Sequence, residues 1–165
     1  MAITGSSNKQ APLAMIAGGG GFLGSTTAAR LVAEGWRVAT LGFGAAHGTL
    51  ADTVSHHEGL VQRGLFSAAA EQDGAPDLII HAAGGASVGR SWEDQRGDFE
   101  LSVGSTVEIL DFIREEAPET HLVLVSSAAV YGDHAGGRLE ETAPTRPVSP
   151  YGLHKQVCEQ LAIGE

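Results

Sequence analysis

Cysteine, basic residues and long apolar runs are all scarce in this chain of 165 residues. Cys158 is the only cysteine, which excludes an internal disulfide and any CxxC metal site and is typical of a reducing cytoplasm. Ten Lys and Arg against 20 Asp and Glu give a formal net charge of −10, so nucleic acids and anionic membranes are poor partners. No apolar run approaches the roughly 18 residues that a membrane-spanning helix needs.

Glycine and apolar side chains are abundant instead. The chain has 23 glycines and 42% hydrophobic residues, which is too apolar for a disordered protein, and its length suffices to bury roughly two-thirds of the unfolded surface. We expect a flexible leader over residues 1–11 and a single domain over residues 12–165. The first residues lack the order of a secretory signal, so the expected compartment is the cytoplasm.

After the leader, apolar runs alternate with helical patterns, as they do in βαβ proteins. Strands are predicted at residues 13–17, 37–41, 60–66, 77–83 and 121–125. Helices are predicted at residues 22–34 and 92–116 and from Ser149-Pro150 onwards, with a helical turn at 68–72 and mostly loop over 42–59. Right-handed connections between these elements give an α/β fold with a doubly wound parallel sheet of about five strands.

The spacing of apolar side chains also predicts which helix faces are buried. The first helix is expected to bury one face made of Leu23, Thr27 and Leu31. The long helix over 92–116 is expected to bury a stripe made of Phe99, Val103, Val107 and Leu110.

A glycine-rich loop separates the first strand from the first helix, with the spacing Gly18-x-x-Gly21-x-x-Gly24. This spacing suits a tight turn, a close approach of the backbone to a pyrophosphate, and close packing of the helix on the sheet. The helix start directs unpaired N–H groups at the phosphates. A flexible turn is the alternative, but the position between an apolar strand and an amphipathic helix favours dinucleotide binding.

The acid that usually holds the adenosine ribose in such folds is missing. Dinucleotide-binding folds place Asp or Glu at the end of strand two, where this chain has Leu41-Gly42-Phe43. No arginine for a 2′-phosphate stands there, and His47, the nearest titratable side chain, is interpreted as a solvated loop residue. The sequence therefore does not distinguish NAD from NADP, and it does not predict tight adenosine binding.

Tyr151 and Lys155 stand four residues apart near the start of the last helix and so share a face. An adjacent ammonium and the positive end of the helix dipole both stabilise a phenolate. A phenol held in this way can pass a proton to or from a carbinol oxygen while a hydride moves to nicotinamide. An accidental surface pair is the alternative for the spacing taken alone.

Two serines, Ser126 and Ser127, follow the fifth strand at the carboxyl edge of the predicted sheet, where ligands bind in open α/β folds. Ser127 is predicted to hydrogen-bond the same substrate oxygen as Tyr151. Capping of backbone groups at the strand end is the alternative for both serines, and we expect it for Ser126.

Four motifs now stand in the order known from one protein family. They are the glycine loop over 18–24, His81-Ala82-Ala83-Gly84, Ser127-Ala128-Ala129-Val130-Tyr131-Gly132 and Ser149-Pro150-Tyr151-Gly152-x-x-Lys155. Together they resemble the extended short-chain dehydrogenase/reductase family, in its NAD-dependent epimerase/dehydratase branch, which has a Rossmann-like sheet and acts largely on nucleotide sugars.

The resemblance implies a role for each motif. Tyr151 would be the catalytic acid/base, Lys155 would bind the nicotinamide ribose and stabilise the phenolate, and Ser127 would position the substrate oxygen. The cofactor, NAD or NADP, would contact the turn and the helix start, and it would also contact the backbone after strand four. The residues concerned are Gly18, Gly21, Phe22, Leu23, Gly24, Ala82, Ala83 and Gly84.

This chain departs from the family pattern at several positions. The acid after strand two is absent. Family members usually carry another acid after strand three, and this chain has Gly64-Leu65 at that place. Ser102 replaces the asparagine of the family's Asn-Val-x-Gly-Thr pattern in the long helix. The further sheet strands and the smaller substrate domain of the family would follow after Glu165.

A fold shortened in this way would leave apolar faces of strand five and of the last helix (Leu153, Val157, Leu161) partly uncovered. Uncovered strand edges and apolar patches favour pairing with another chain. We therefore predict a homo-oligomer or a completing partner subunit. A chain end at Glu165 that is not the natural one is the alternative.

The remaining candidates favour structural interpretations. His56 and His57 are adjacent without further ligands nearby, so no metal site is predicted. Asp133 and His134 are expected to be solvated, and Cys158 is expected to be buried and inert.

Three functions stay open. The first is an NAD(P)-dependent oxidoreductase, epimerase or dehydratase that transfers a hydride at a carbinol carbon, with Tyr151, Lys155 and Ser127 as its chemical groups. The second is a catalytically idle, shortened nucleotide-binding or protein-interaction module. The third is an acid–base enzyme that uses the same tyrosine without hydride transfer.

Overall fold

The computed structural model describes residues 10–44, 53–85, 87–133 and 138–164. Residues 1–9 of the predicted leader, His47 and His134 lie outside the described residues. The elements are β1 (Leu13–Ala17), α1 (Phe22–Ala33), β2 (Arg37–Leu41), β3 (Val54–His57), α2 (Arg63–Asp73), β4 (Leu78–His81), α3 (Val88–Glu93), α4 (Gln95–Phe99), a π-helical segment (Glu100–Gly104), α5 (Ser105–Glu116), β5 (His121–Leu124), a 3₁₀ turn (Ala128–Tyr131) and α6 (Pro150–Ile163). As far as the chain is described, none of these helices is both long and apolar enough to cross a lipid bilayer.

The strands form one parallel sheet in the order β3-β2-β1-β4-β5. The central strand, β1, is buried along its whole length, because its alternate side chains pack into cores on the two faces. Met15 packs in a core with Phe66 and Phe112, whereas Ile16 packs in a second core with Val38. The predicted α/β fold with a doubly wound, Rossmann-like sheet is confirmed.

The direction of the chain across the sheet reverses at β1. From β1 the chain moves outward through β2 to β3, and it then returns to β4 on the other side of β1. The connections that leave β1 and β4 therefore diverge, and the carboxyl ends of these strands flank an opening. In open α/β sheets this is the place where ligands bind.

The predicted third strand at 60–66 is wrong. β3 lies earlier, inside the predicted loop, and the stretch 60–66 leads into α2. β3 is an edge strand that pairs with β2 alone, and its polar side chains have partners, since Ser55 and His57 both hydrogen-bond the carboxylate of Asp73. Such a polar edge strand carries no apolar run, which is the signal that the sequence prediction used.

The predicted long helix at 92–116 is divided into α3, α4, the π-helical segment and α5. A π-helical turn contains more residues than an α-helical turn, so it changes which side chains face the sheet. The predicted buried stripe is correspondingly half right. Val103 and Leu110 are buried, whereas Phe99 is 45% exposed and Val107 is 40% exposed.

The buried face of α1 is made of small residues. Gly24 and Ala28 are buried, while Leu23 is 54% exposed, so the predicted face is wrong at its first residue. Leu31 packs partly buried against the core, as expected. The reason is the close approach of the helix start to the preceding turn, which leaves no space for a large side chain there.

β5 is the second edge strand of the described sheet. Val123 of β5 and Leu153 of α6 are both 49% exposed, so apolar surface is uncovered at this edge, as the sequence indicated. Whether another chain covers it stays a prediction.

Candidate functional site

The turn after β1 leaves no room for side chains. Gly18 has a φ of +82°, in the left-handed region that favours glycine, and a Cβ there would lie 2.7 Å from the backbone nitrogen of Ala83. A Cβ on Gly24 would overlap the carbonyl oxygen of Gly18. The turn, the end of β4 and the start of α1 therefore approach one another as closely as backbone atoms allow.

The start of α1 carries N–H groups that its N-cap leaves free. The N-cap residue, Gly21, makes no side-chain hydrogen bond, and no acidic residue lies in the first turn. These free N–H groups and the positive end of the helix dipole both favour an anion such as a phosphate. Phe22 and Leu23 are 83% and 54% exposed, and neither of them lines the crevice described below.

A crevice of about 750 Å³ opens beside this turn, at the carboxyl ends of β1 and β4. The predicted cofactor residues that line it are Gly18, Gly21, Ala82, Ala83 and Gly84. Sequence reasoning missed the opposite wall, which comes from α4, the π-helical segment and α5 and includes Glu100, Leu101 and Glu108. These residues belong to no motif, and only the helix packing brings them to the crevice.

The rim of the crevice beyond β2 is apolar. Phe43 is 66% exposed and Leu60 is 57% exposed, and both line the crevice. Because β3 ends earlier than predicted, the residues after strand three are Glu58-Gly59-Leu60 rather than Gly64-Leu65, which lie in α2. Glu58 is exposed to solvent and does not line the crevice.

The start of α6 packs on the 3₁₀ turn that follows β5. The Oγ of Ser149 caps α6 by accepting a hydrogen bond from the backbone nitrogen of Gly152 at 3.1 Å. A Cβ on Gly152 would lie 2.5 Å from the carbonyl oxygen of Ala129 in the turn. This packing brings Tyr151 to the same edge of the sheet as Ser127, which caps the turn.

Tyr151 is half-buried, and its backbone nitrogen donates to the Oγ of Ser91 at 3.1 Å. Ser91 is fully buried in α3, so α3 fixes the first turn of α6. Tyr151 and Lys155 lie one turn apart on this helix, as their spacing requires.

Lys155 is buried next to Gly84, and Tyr151, Lys155 and Ser127 are not among the residues that line the crevice. Lys155 is 5% exposed, its Nζ donates to the carbonyl oxygen of Val125 at 3.1 Å, and the Nζ lies 3.6 Å from the position of a Cβ on Gly84. Burial lowers the pKa of Lys155, whereas Cys158 and Asp98 act to raise it. The ammonium therefore stands between the tyrosine helix and the crevice wall.

Of the two serines after β5, Ser127 rather than Ser126 caps backbone groups. Capping was expected for Ser126, but its Oγ donates to the carboxylate of Glu159 on α6. The capping serine is Ser127, whose Oγ accepts from the backbone nitrogen of Ala129 at 3.2 Å. A hydroxyl that accepts a hydrogen bond still has its own proton to donate, so Ser127 keeps the donor that its predicted role requires.

His81 ends β4 behind the crevice and is 1% exposed. Its Nε2 pairs with the Oγ of Ser105 at 3.1 Å, and its Nδ1 has no hydrogen-bond partner among the described residues. Burial and, to a smaller extent, the charge of Lys155 lower the pKa of His81 to about 4. The imidazole is therefore neutral at neutral pH.

Acidification is expected to destabilise the fold through His81. Between about pH 6.5 and pH 4 the unfolded chain takes up a proton on this residue and the folded chain does not. The free energy of unfolding therefore decreases as the pH is lowered through this range, by about 3 kcal/mol in all. Urea titrations at pH 7, 5.5 and 4 check this. A His81→Gln variant should lose less stability over the same range, and an equal loss in both proteins would contradict the assignment.

The adjacent histidines on β3 point to opposite faces of the strand. The Nδ1 of His56 pairs with the Oγ1 of Thr40 at 3.0 Å, and the Nε2 of His57 pairs with the carboxylate of Asp73 at 2.8 Å. The two rings therefore serve separate contacts. Cys158 is 1% exposed, and burial raises the pKa of its thiol, which is typical of an unreactive cysteine.

Known proteins are similar to this chain in both sequence and fold. A profile described as the NAD dependent epimerase/dehydratase family matches residues 14–164. The UDP-glucose 4-epimerase of Streptomyces lividans is 31% identical over 161 residues, which are 92% of this chain and 46% of that protein. The UDP-glucose 4-epimerase of Halalkalibacterium halodurans is 29% identical over 149 residues, which cover 89% of this chain and 44% of that protein.

Solved structures agree with these sequence relatives. UDP-glucose 4-epimerase from Brucella ovis in complex with NAD superposes with a TM-score of 0.83 at 28% identity, over 93% of this chain and 47% of that one. The UDP-glucose 4-epimerase of Thermus thermophilus, also in complex with NAD, gives a TM-score of 0.82 at 30% identity, over 92% of this chain and 50% of that one. The chain thus spans about half the length of the relatives that it matches.

Proposed function

The chain belongs to the NAD-dependent epimerase/dehydratase family, and we propose that it holds NAD(P) in the crevice and acts by hydride transfer at a carbinol carbon. The position of Lys155 carries this proposal. Its Nζ lies against Gly84, and the backbone of Gly84 lines the crevice beside the glycine turn. Gly84 therefore connects the crevice beside the glycine turn with the helix that carries Tyr151 and Lys155, which supports a common site for phosphate binding and proton transfer.

The residues present fit a dinucleotide. The backbone at Gly18 and Gly24 fills the space that a Cβ would occupy, which is the close approach that a pyrophosphate-binding turn needs. Gly21 leaves the first N–H groups of α1 free of side-chain caps. The crevice of about 750 Å³ lies at the point where the strand order reverses. These features support Gly18, Gly21, Phe22, Leu23, Gly24 and the backbone of Ala82, Ala83 and Gly84 as the proposed binding residues.

The proposed chemistry of the chain itself is proton transfer. NAD(P), when bound, would supply the acceptor for a hydride from a carbinol carbon. The phenolate oxygen of Tyr151 would take the proton of the carbinol hydroxyl, and the resulting phenol would return it in the reverse reaction. Lys155, as an ammonium, would stabilise the phenolate, and the free hydroxyl proton of Ser127 would be donated to the same substrate oxygen.

The relatives support a nucleotide sugar as the substrate. The two sequence relatives above are UDP-glucose 4-epimerases, and reversible oxidation at one carbinol carbon is a route to inverting it. Because this chain spans about half their length, the substrate class is proposed from the likeness of the described half alone.

An idle nucleotide-binding module is the second candidate, and two observations favour it. The end of β2 is followed by Gly42-Phe43, where family members usually have an acid, and Ser102 replaces the asparagine that helps to shape the family's active site. This module would bind the dinucleotide without turnover.

An acid–base enzyme without hydride transfer would need Tyr151 but would make no reduced nicotinamide.

Calorimetric titration of the full chain with NAD, NADH, NADP and NADPH tests the proposed binding site. We expect NAD to bind at least about tenfold more tightly than NADP. A 2′-phosphate adds negative charge to a crevice that Glu100 and Glu108 line and that no lysine or arginine lines within the described part of the chain.

Two variants make this measurement specific. Glu100→Gln should narrow the ratio of NAD to NADP affinity, whereas Glu93→Gln, on the exposed surface of α3, should leave the ratio unchanged. Failure of all four dinucleotides to bind at millimolar concentration would overturn the proposed function.

A further inference from the structure

A buried aspartate–histidine hydrogen bond joins α4 to α6. The Oδ2 of Asp98 lies 2.6 Å from the Nδ1 of His154, and the two residues are 7% and 9% exposed. His154 immediately precedes Lys155 in the YxxxK helix, and Asp98 is 56 residues away in the chain. Neither residue belongs to the proposed proton-transfer group.

The second oxygen of Asp98 faces the loop after β4. A Cβ on Gly85 would overlap Oδ1 of Asp98, and the backbone nitrogen of Gly85 donates to the Oγ of Ser102 at 3.1 Å. The Nζ of Lys155 lies 3.6 Å from the position of a Cβ on the neighbouring residue, Gly84. The carboxylate of Asp98 and the ammonium of Lys155 therefore lie beside adjacent residues of this loop.

The surroundings of Lys155 contain few charges. The titratable groups that act on it electrostatically are Asp98 from α4, Cys158 from its own helix and His81 from β4. His81 is neutral at neutral pH, and a buried thiol is neutral as well. Among the described residues, Asp98 is therefore the carboxylate that acts to raise the pKa of Lys155.

We propose that Asp98 is a positioning residue for Lys155, held in place by His154, and that its carboxylate keeps the buried ammonium protonated at the Gly84 wall of the crevice. The functional meaning of this role rests on the proposed function, in which the ammonium stabilises the phenolate of Tyr151. The electrostatic role itself does not depend on any ligand.

The physical reason for the pair is that a buried carboxylate without a hydrogen-bond donor takes up a proton and loses its charge. The Nδ1–H of His154 supplies that donor, and the ring of Phe99, edge-on to the imidazole at 5.4 Å, restricts its orientation. The carboxylate of Asp98 is the member of this pair that acts to raise the pKa of Lys155.

The experiment uses the fact that Lys9 and Lys155 are the only lysines. In the full chain labelled with ¹³C-lysine, the two side-chain Cε signals are followed by NMR from pH 6 to pH 12 without any ligand. Lys155→Met assigns the signals. Asp98→Asn keeps the shape of the side chain but removes its charge, and we expect the Lys155 titration midpoint to fall by about one pH unit or more.

Glu93→Gln is the matched control, because it removes the same charge from an exposed site on the neighbouring helix α3. A Lys155 midpoint in Asp98→Asn that equals the midpoint in Glu93→Gln would overturn the proposal. If Asp98→Asn does not fold, the double variant Asp98→Asn with His154→Gln replaces the aspartate–histidine pair by two amides. A fall of the Lys155 midpoint in this variant supports the proposal, and an unchanged midpoint overturns it.

The variant Asp98→Glu distinguishes a positioning role of Asp98 from a merely structural one. Asp98→Glu keeps the charge and should restore most of the Lys155 midpoint even where it lowers thermal stability, whereas Asp98→Asn should not. Because the titration contains neither dinucleotide nor substrate, its result is independent of the dinucleotide titration, and either proposal can fail while the other stands.

Discussion

Replacing Tyr151 with phenylalanine is expected to lower turnover of a nucleotide-sugar substrate by roughly 10²–10⁴-fold. Phenylalanine keeps the ring and its packing but removes the oxygen that would exchange a proton with the carbinol hydroxyl. The half-buried ring lies on a helix start that Ser91 and Ser149 hold independently of the phenol. The change should therefore remove chemistry without moving α6.

Stopped-flow absorbance at 340 nm, with the full chain, NAD and UDP-glucose, measures the hydride step in a single turnover. The control is the affinity for NAD, which should change by less than about threefold in the variant, because the phenol is not among the proposed phosphate-binding groups. Equal hydride transfer by the parent and the variant would remove Tyr151 from the proposed mechanism. A parent chain that binds NAD and transfers no hydride would favour the idle module.

Replacing Gly24 with alanine is expected to destabilise the fold by about 2–3 kcal/mol and to weaken NAD binding at least about tenfold. The added Cβ would overlap the carbonyl oxygen of Gly18 and lie 2.8 Å from the Cα of Gly19. Both are backbone atoms of the turn, so no flexible side chain can move aside. Relief of the overlap requires α1 to move away from the phosphate-binding turn.

Gly64→Ala is the matched control, because Gly64 lies in the first turn of α2 and a Cβ there would meet nothing within 4 Å. This substitution should raise stability by up to about 1 kcal/mol. Urea unfolding followed by circular dichroism measures both variants, and calorimetry measures NAD binding. If Gly24→Ala unfolds at the same urea concentration as Gly64→Ala, the close packing of α1 on the turn is not as described.

The elements that the sequence predicts well are those whose signal is local. β1, α1 and β2 follow one another with an apolar run, a glycine turn and an amphipathic helix, and each of these patterns depends on neighbouring residues alone. The polar strand β3 was missed because its side chains are satisfied by Thr40 and Asp73, and a strand of Ser and His carries no apolar signal.

The long helix shows a different limit. Its apolar spacing was interpreted with a single helical period, but the chain breaks at Asp94 and then passes through a π-helical segment. Each change of helix type turns the following side chains toward another direction. Phe99 and Val107 are for this reason exposed, although the same spacing in an unbroken helix would bury them.

By itself the sequence determined the α/β class, the glycine turn with its position between β1 and α1, and the shared face of Tyr151 and Lys155, because spacing along the chain is enough for each. Only the tertiary structure decided that Asp98 meets His154, that the far wall of the crevice is acidic, and that Lys155 and His81 are buried. These contacts join residues that are distant in the chain, and burial alters their charge states through desolvation. Both depend on how helices pack on the sheet, which no local pattern encodes.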